Sequence, residues 1–306
     1  MGLNQGVLTA AERTMSRDRS SIGEYLRARR ALVQPEDVGI ARGAKRRVAG
    51  LRRQEVADLA GISLEYYLRL EQGRDRHPST QVVHALARAL LLDQVGTLYL
   101  ERLARPAPIA TSGAARKGVL PGDLPMLLEQ WSGMPAFVTD SNLDVVYANR
   151  MAEKVMGTGF LLGANRVLAM FSPEYRAAVP GWIDRAAEVV GALRMRGNPE
   201  DPRFQELVGG LAVRSREFRR LWARQDVHVL TRGAVGVPVQ PFGVIELQWR
   251  NLQVAEAPGW ALTTVFAERG STAAAALAFL AAAEGLPTTS VPARSHLGEK
   301  VLEPEL

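Results

Sequence analysis

The chain contains no cysteine, which excludes disulfides, cysteine-bound zinc, iron–sulfur clusters, thiol catalysis and a flavin–cysteinyl photosensor. Histidine is scarce as well. Four residues, His77, His84, His228 and His296, are scattered along 306 positions and give no triad or metal-ligand spacing. Gly157-Thr-Gly-Phe160 lacks the third glycine of a nucleotide loop, and no lysine follows at P-loop spacing. Long apolar runs are missing too: the longest, Ala273 to Ala283, has eleven residues, against the ~20 that a membrane-spanning helix needs. The first twenty residues carry Glu12, Arg13, Arg17, Asp18 and Arg19 without an apolar stretch, unlike a secretory signal. Gly6 stands where a myristoylation signal needs Ser or Thr, and Met15 offers an alternative start. The expectation is a soluble cytoplasmic protein that is not an enzyme, with no cofactor, no metal and no membrane partner.

What is present is unevenly distributed. The length suits roughly two domains, and the 47% hydrophobic content suffices for ordinary cores. The net charge is +6. Residues 1–105 hold 18 Lys+Arg against 12 Asp+Glu, whereas residues 106–306 hold 20 against 20. The whole excess therefore lies in the first third, as for a basic module that meets a polyanion and is joined to a neutral module with another task. Arginine supplies 34 of the 38 basic residues, a bias that suits bidentate phosphate and guanine contacts and equally a GC-rich genome.

Periodicity divides the chain into a flexible tail (1–20), a helical domain (21–104), a Pro/Gly-rich linker (105–122), a second domain (123–284) and a tail (285–306). Helical spacing starts at Ser21, pauses in a loop over 33–50, and returns over 51–60, 64–72, from Ser79, and from Val95, giving five helices. The second domain reads as strands at 135–139 and 145–148, a helix at 149–156, helical stretches over 174–196 and 203–224, strands at 227–231, 243–249 and 262–266, and an alanine-rich helix over 273–284. That is an α+β arrangement behind an all-α domain.

The most specific signal spans Leu51 to Gly73. Ala57 is small where two helices cross, Gly61 supplies a positive φ for a tight turn, Ser63 caps the next helix, and Tyr67 and Leu70 fall on its buried side. Leu64, Glu65, Leu68 and Arg69 then point outward near the start of the second helix, in reach of base edges in a major groove. In the alternative, one of the leucines completes the core. Arg42, Lys45, Arg46, Arg47, Arg52 and Arg53, with Arg74 and Arg76 after the second helix, form the phosphate-contacting set. The motif, with its Glu71-x-Gly73 ending, resembles the lambda-repressor-like (XRE) helix-turn-helix family. Because one such motif reads a half-site, the expected partner is a double-stranded DNA operator bound by a homodimer.

A resemblance to a narrower family comes from the arginine-rich insertion of about seventeen residues between the first two helices, where such domains ordinarily have a short turn. With Leu26-Arg-Ala-Arg-Arg30, Pro35-Glu-Asp-Val-Gly39, Tyr66-Tyr-x-Arg-Leu-Glu-Gln-Gly-Arg-Asp-Arg76, Pro135-Ala-Phe-Val-x-Asp140 and Phe218-Arg-Arg-Leu-Trp-Ala-Arg224, the chain is similar to the MmyB-like transcription regulators. The resemblance implies a lambda-repressor-like domain followed by a PAS-like α+β ligand-binding domain, and an apolar or fatty-acid-like ligand. It implies a pathway-specific regulator, activation slightly favoured, of the kind found with antibiotic biosynthesis, with RNA polymerase as a further partner. Phe137, Tyr147, Met170, Trp182, Phe218, Trp222 and Trp249 are the residues expected to line the ligand cavity; the alternative is that they are plain core. Gly181 precedes Trp182 where relatives often carry an acidic residue. Haem sensing would need an axial ligand, and His228 is the single histidine of the second domain. A DNA-binding antitoxin or nucleoid-type protein, its second domain mediating only protein interaction, is the competing reading.

Overall fold

The computed structural model describes residues 21–41, 46, 48–75, 77–105, 120, 122–131, 133–157, 161–179, 181–283 and 285. The expected tail at 1–20, nearly all of that at 285–306 and most of the expected linker lie outside the described residues.

Among these residues the first domain is built from α1 (Ser21–Leu32), α2 (Arg53–Ala60), α3 (Leu64–Glu71), α4 (Thr80–Ala89) and α5 (Gln94–Ala104), with a 3-10 turn at Pro35–Val38 inside the stretch expected to be loop. Local chemistry sets the helix starts. The hydroxyls of Ser63 and Ser79 accept from the N–H groups of Tyr66 and Val82 at 3.1 and 3.3 Å, and the Asp93 carboxylate accepts from the Gly96 N–H at 2.7 Å. Each satisfies a donor that the helix itself leaves unpaired. Gly61 ends α2 with φ 66°, a conformation that lacks penalty only without a Cβ. Ile22, Tyr25, Leu26, Val56, Tyr67, Leu70, Leu86 and Leu100 are fully buried in one core, where the Tyr25 and Tyr99 rings meet edge to face at 5.0 Å.

The second domain begins with α6 (Leu124–Gln130), β1 (Ala136–Thr139), β2 (Val145–Ala148) and α7 (Arg150–Met156). Five further helices follow: α8 (Arg166–Met170), α9 (Pro173–Ala178), α10 (Trp182–Arg196), α11 (Pro202–Arg214) and α12 (Arg216–Ala223). Then come β3 (Arg232–Val239), β4 (Gly243–Gln253), β5 (Ala261–Phe266) and α13 (Thr272–Ala283). The strands form one antiparallel sheet in the order β2-β1-β5-β4-β3. Alternation along the strands divides its apolar side chains between two faces. Phe137, Leu247 and Val265 pack with α7 and α13, while Ala136, Val138 and Leu262 pack with Leu128 of α6 and Trp260. A separate core joins α8, α10, α11 and α12. The fold is thus an all-α domain followed by an α+β domain.

Three local expectations give way. The helical stretch over 174–196 is interrupted by Gly181 in a left-handed conformation at φ 66°, and that over 203–224 by Ser215, whose extended backbone ends α11 while its hydroxyl caps α12. The strand expected at 227–231 is irregular chain; the strand instead occupies Arg232–Val239. Val227 leaves the sheet because it is buried in the core of the first domain. Gly233, Gly236 and Pro238 look like turn residues, yet each fits β3. The strand lies at the sheet edge, where proline's missing N–H is tolerated, and a Cβ on Gly233 would stand 2.5 Å from the Trp249 ring.

Candidate DNA interface and ligand-binding core

The helix-turn-helix is α2, the Gly61 turn and α3. Ala57, Tyr67 and Leu70 are buried at its centre. Of the four candidate base-reading residues, Glu65 and Arg69 are exposed, Leu68 is half-buried, and Leu64 packs against the domain core. The Arg69 guanidinium lies over the Tyr66 ring at 5.5 Å, which draws it along the helix surface. Tyr66 was not among the sequence candidates, although its half-buried ring borders the same face.

The candidate phosphate-contacting residues separate. Arg52 and Arg74 are exposed. Arg53 is half-exposed, and its guanidinium also reaches a Glu71 oxygen at 3.1 Å. Arg46 turns inward: its side chain is only 6% exposed, and it donates to the two Glu55 oxygens at 2.8 and 2.5 Å and to the Gly50 carbonyl at 2.8 Å. The hydrogen bonds from Arg46 hold the Glu55 carboxyl below its ordinary value, with burial opposing them. This arginine therefore braces the arginine-rich segment onto α2. Arg42, Lys45, Arg47 and Arg76 lie outside the described residues. The His77 ring nitrogen lies 3.2 Å from the Ala104 carbonyl.

Glu71, at the end of α3, is the junction of the motif. Its side chain is 1% exposed and takes both Arg30 of α1 and Arg53 of α2. A carboxylate buried to that degree requires such partners, so one residue ties α3 to α1 and α2.

In the second domain the candidate ligand residues fall into three groups. Met170, Trp182, Phe218 and Trp222 converge in the helical core. There Trp182 meets Phe171 edge-on at 5.6 Å, Phe171 meets Phe218 at 5.5 Å, and Phe218 stacks on Trp222 at 5.5 Å. Phe137 and Trp249 lie on one sheet face with α7 and α13, and Tyr147 lies with the cluster on the other face. None of the seven borders the cleft of about 390 Å³ lined by Val83, Leu98 and Arg102 in the first domain.

Three arginines of this domain carry no mark in the sequence yet sit inside it. Arg166 stands over the Phe137 ring at 5.4 Å. Arg196 donates to the carbonyls of Thr139, Asp140 and Gly259 at 3.1, 2.7 and 2.7 Å. Arg194 stacks on Trp222 at 3.8 Å and donates to Gln225 Oε1 at 2.6 Å. Burial pushes Arg166 and Arg196 down to about 10, and the charge of Arg166 adds to the effect on Arg196. Burial likewise lowers Arg194. In a chain this rich in arginine, no local signal marks which ones fold inward.

Among the described residues no helix is long and apolar enough to cross a membrane. Residues 120–280 match the family described as the MmyB-like transcription regulator ligand binding domain, and residues 43–98 match a helix-turn-helix domain. No curated protein matches the chain. The first match alone covers more than half of the 306 residues. A DNA-binding helix-turn-helix joined to a ligand-binding domain makes this a DNA-binding transcription regulator, and the chain belongs to the MmyB-like family of transcription regulators.

Proposed function

We propose that the protein is a ligand-responsive, pathway-specific regulator that binds a two-fold operator as a homodimer. The observation that carries the DNA half is the division of α3 into a buried side, Tyr67, Leu70 and Glu71, and an exposed side, Glu65 and Arg69. In the major groove Glu65 accepts from a cytosine amino group, Arg69 meets a guanine, and Leu68 packs on a thymine methyl, with Leu64 at the margin between core and DNA. Arg52, Arg53 and Arg74 neutralise phosphates, joined by Arg42, Lys45, Arg47 and Arg76. An apolar or fatty-acid-like ligand enters among Met170, Trp182, Phe218 and Trp222, with Phe137, Tyr147 and Trp249 as further walls, and shifts the placement of the DNA-binding domains. The regulator works in the cytoplasm as an activator in contact with RNA polymerase, and antibiotic biosynthesis is the class of pathway that the family resemblance suggests.

A mobility-shift series on the operator in rising salt tests this reading. If four or five of these seven charges neutralise phosphates at once, at about 0.9 per contact, log K falls with log salt at a slope of roughly −4 for each DNA-binding domain engaged. A flat response removes the DNA assignment. If no apolar ligand shifts the melting of the second domain while DNA binding persists, the antitoxin or nucleoid reading replaces the ligand-responsive one.

A further inference from the structure

Helix α10 leaves the aromatic core of the second domain and ends against the first. The last carbonyls of a helix lack partners within it, and here a single side chain of α5 takes two of them together with the carbonyl of the capping residue Gly197. Arg102 donates to the carbonyls of Gly197 at 2.7 Å, Arg194 at 3.4 Å and Met195. A cation at a helix C-terminus is favoured by the helix dipole as well as by these bonds. Arg102 is seated over the Tyr99 ring at 5.5 Å, and burial lowers its pKa below the ordinary guanidinium value. The charge is therefore tolerated there only while the carbonyls are in place.

Other contacts converge on the same seam. Arg29 of α1 pairs with Asp226 at 3.0 Å, each side chain 21% exposed. Val227 is buried in the first domain's core, and Met195 packs against it. Arg194, the neighbour of Met195 on α10, stacks on Trp222. Trp222 in turn continues through Phe218 and Phe171 to Trp182 at the opposite end of the helix. The side chains that form the helical core thus lie along the element whose end the DNA-binding domain holds.

We infer that Arg102 is a coupling latch: by capping α10 it fixes the DNA-binding domain to the ligand-binding domain in one orientation, and α10 is the element through which a ligand changes that orientation. This rests on the proposed operator binding by a dimer. A fixed orientation presets the spacing of the two DNA-binding domains, so releasing it weakens binding to two half-sites while leaving the affinity of each domain for one half-site intact.

The test uses the full chain. With no native cysteine, spin labels at Arg88→Cys on α4 and Val213→Cys on α11, both exposed, report the distance between the domains of one chain when the labelled chain is diluted into excess unlabelled protein. The unlatched form is Arg102→Gln, with Asp226→Asn, which cuts the seam from the other side, as the second variant should the first fail to fold. The latch predicts one narrow distance distribution in the wild-type background and a broad one in the variant. It also predicts a loss of at least about fivefold in affinity for the two-half-site operator, the low end of usual couplings between sites, with single-half-site affinity unchanged. A distribution that stays narrow, or equal affinity changes on one and two half-sites, overturns it. Failure of the wild type to bind operator at all, with the distance change still seen in the variant, counts against the proposed DNA function and overturns the coupling with it, leaving Arg102 a purely structural cap.

Discussion

Arg30 grips both oxygens of Glu71, Nη2 to Oε1 at 3.0 Å and Nε to Oε2 at 3.2 Å, across the contact between α1 and α3. Burial works against the Glu71 charge, but hydrogen bonds from Arg30 and Arg53 outweigh it and hold the carboxyl below its ordinary value of 4.5. A depressed acid stabilises the fold at every pH above the unfolded value, and that contribution is lost as pH falls through the folded value. Breaking a buried pair from one side costs about 3–5 kcal/mol. Arg53 keeps access to water, so about 2–4 kcal/mol is expected for Glu71→Gln at pH 7. Circular dichroism melts should show wild type and variant far apart at pH 7 and converging as pH falls below 4.5 through the depressed folded value. Coincident melts at pH 7 would remove Glu71 as the tie between the helices.

Asp140 behaves in the opposite sense. Burial, with the Asp144 charge beside it, raises its carboxyl from 3.8 to about 6. Between those values the folded chain binds more protons than the unfolded one, so stability falls as pH rises, by at most about 1.4 kcal/mol per pH unit. Asp140→Asn removes the titration and keeps an oxygen for the N–H groups of Asn142 and Asp144, now at 2.8 and 2.9 Å. The variant should melt higher than wild type at pH 7 and no higher at pH 4. All five tryptophans, 131, 182, 222, 249 and 260, lie in the second domain, so their emission follows that domain alone. A lower melting point at pH 7 would contradict the assignment of burial as the dominant effect.

The residues proposed to read bases and those proposed to contact phosphates should separate in binding experiments. Glu65→Gln is expected to cost about 1–3 kcal/mol on the preferred operator and to relax the requirement at one base pair. Arg52→Gln should weaken every sequence alike and reduce the salt slope by about 0.9 for each DNA-binding domain engaged. Arg46→Gln instead should lower the melting temperature of the first domain, because it strips Glu55 of its buried partner. Binding isotherms at several salt concentrations, paired with melts, distinguish the three. A salt slope that falls for Arg46→Gln without loss of stability would return that residue to the DNA surface.

Arg46 also marks where sequence reading stops. Ala57, Gly61 and Ser63 were legible because each position of a helix-turn-helix makes a different steric or hydrogen-bonding demand, and the sequence meets all of them at fixed spacing. A run of arginines makes no such demand. Whether a guanidinium faces solvent, Glu55 or the end of a distant helix depends on tertiary neighbours, and the carbonyls held by Arg102 lie more than ninety residues along the chain. Strand β3 was missed for a related reason: the ring of Trp249 and the edge position justify Gly233 and Pro238, and neither is visible locally. The ligand residues were chosen by aromaticity, which finds cores but does not say how many there are. Here Phe137, Tyr147 and Phe218 belong to three.

Glycines inside helices give opposite expectations at two places. In a helix interior Ala is favoured over Gly by about 0.8–1.0 kcal/mol, so the sign of Gly→Ala depends on what the new methyl meets. At Gly23 it would stand 2.9 Å from the Glu71 carbonyl carbon and 3.1 Å from the Leu70 oxygen. These are backbone atoms of α3, which cannot swing aside as a side chain can. Overpacking of this kind costs about 1–3 kcal/mol, so Gly23→Ala should destabilise the first domain despite its gain in helix propensity. At Gly209 and Gly210 of α11 nothing lies within 4 Å of the added atom. Each substitution there should therefore stabilise the second domain by about 1 kcal/mol. Urea titrations followed by tryptophan emission for Gly209→Ala and Gly210→Ala, and by far-ultraviolet circular dichroism for Gly23→Ala, measure both signs. A neutral or stabilising Gly23→Ala would show that α1 and α3 approach less closely than the Glu71 junction requires, and would weaken the case for that carboxylate as the motif's anchor.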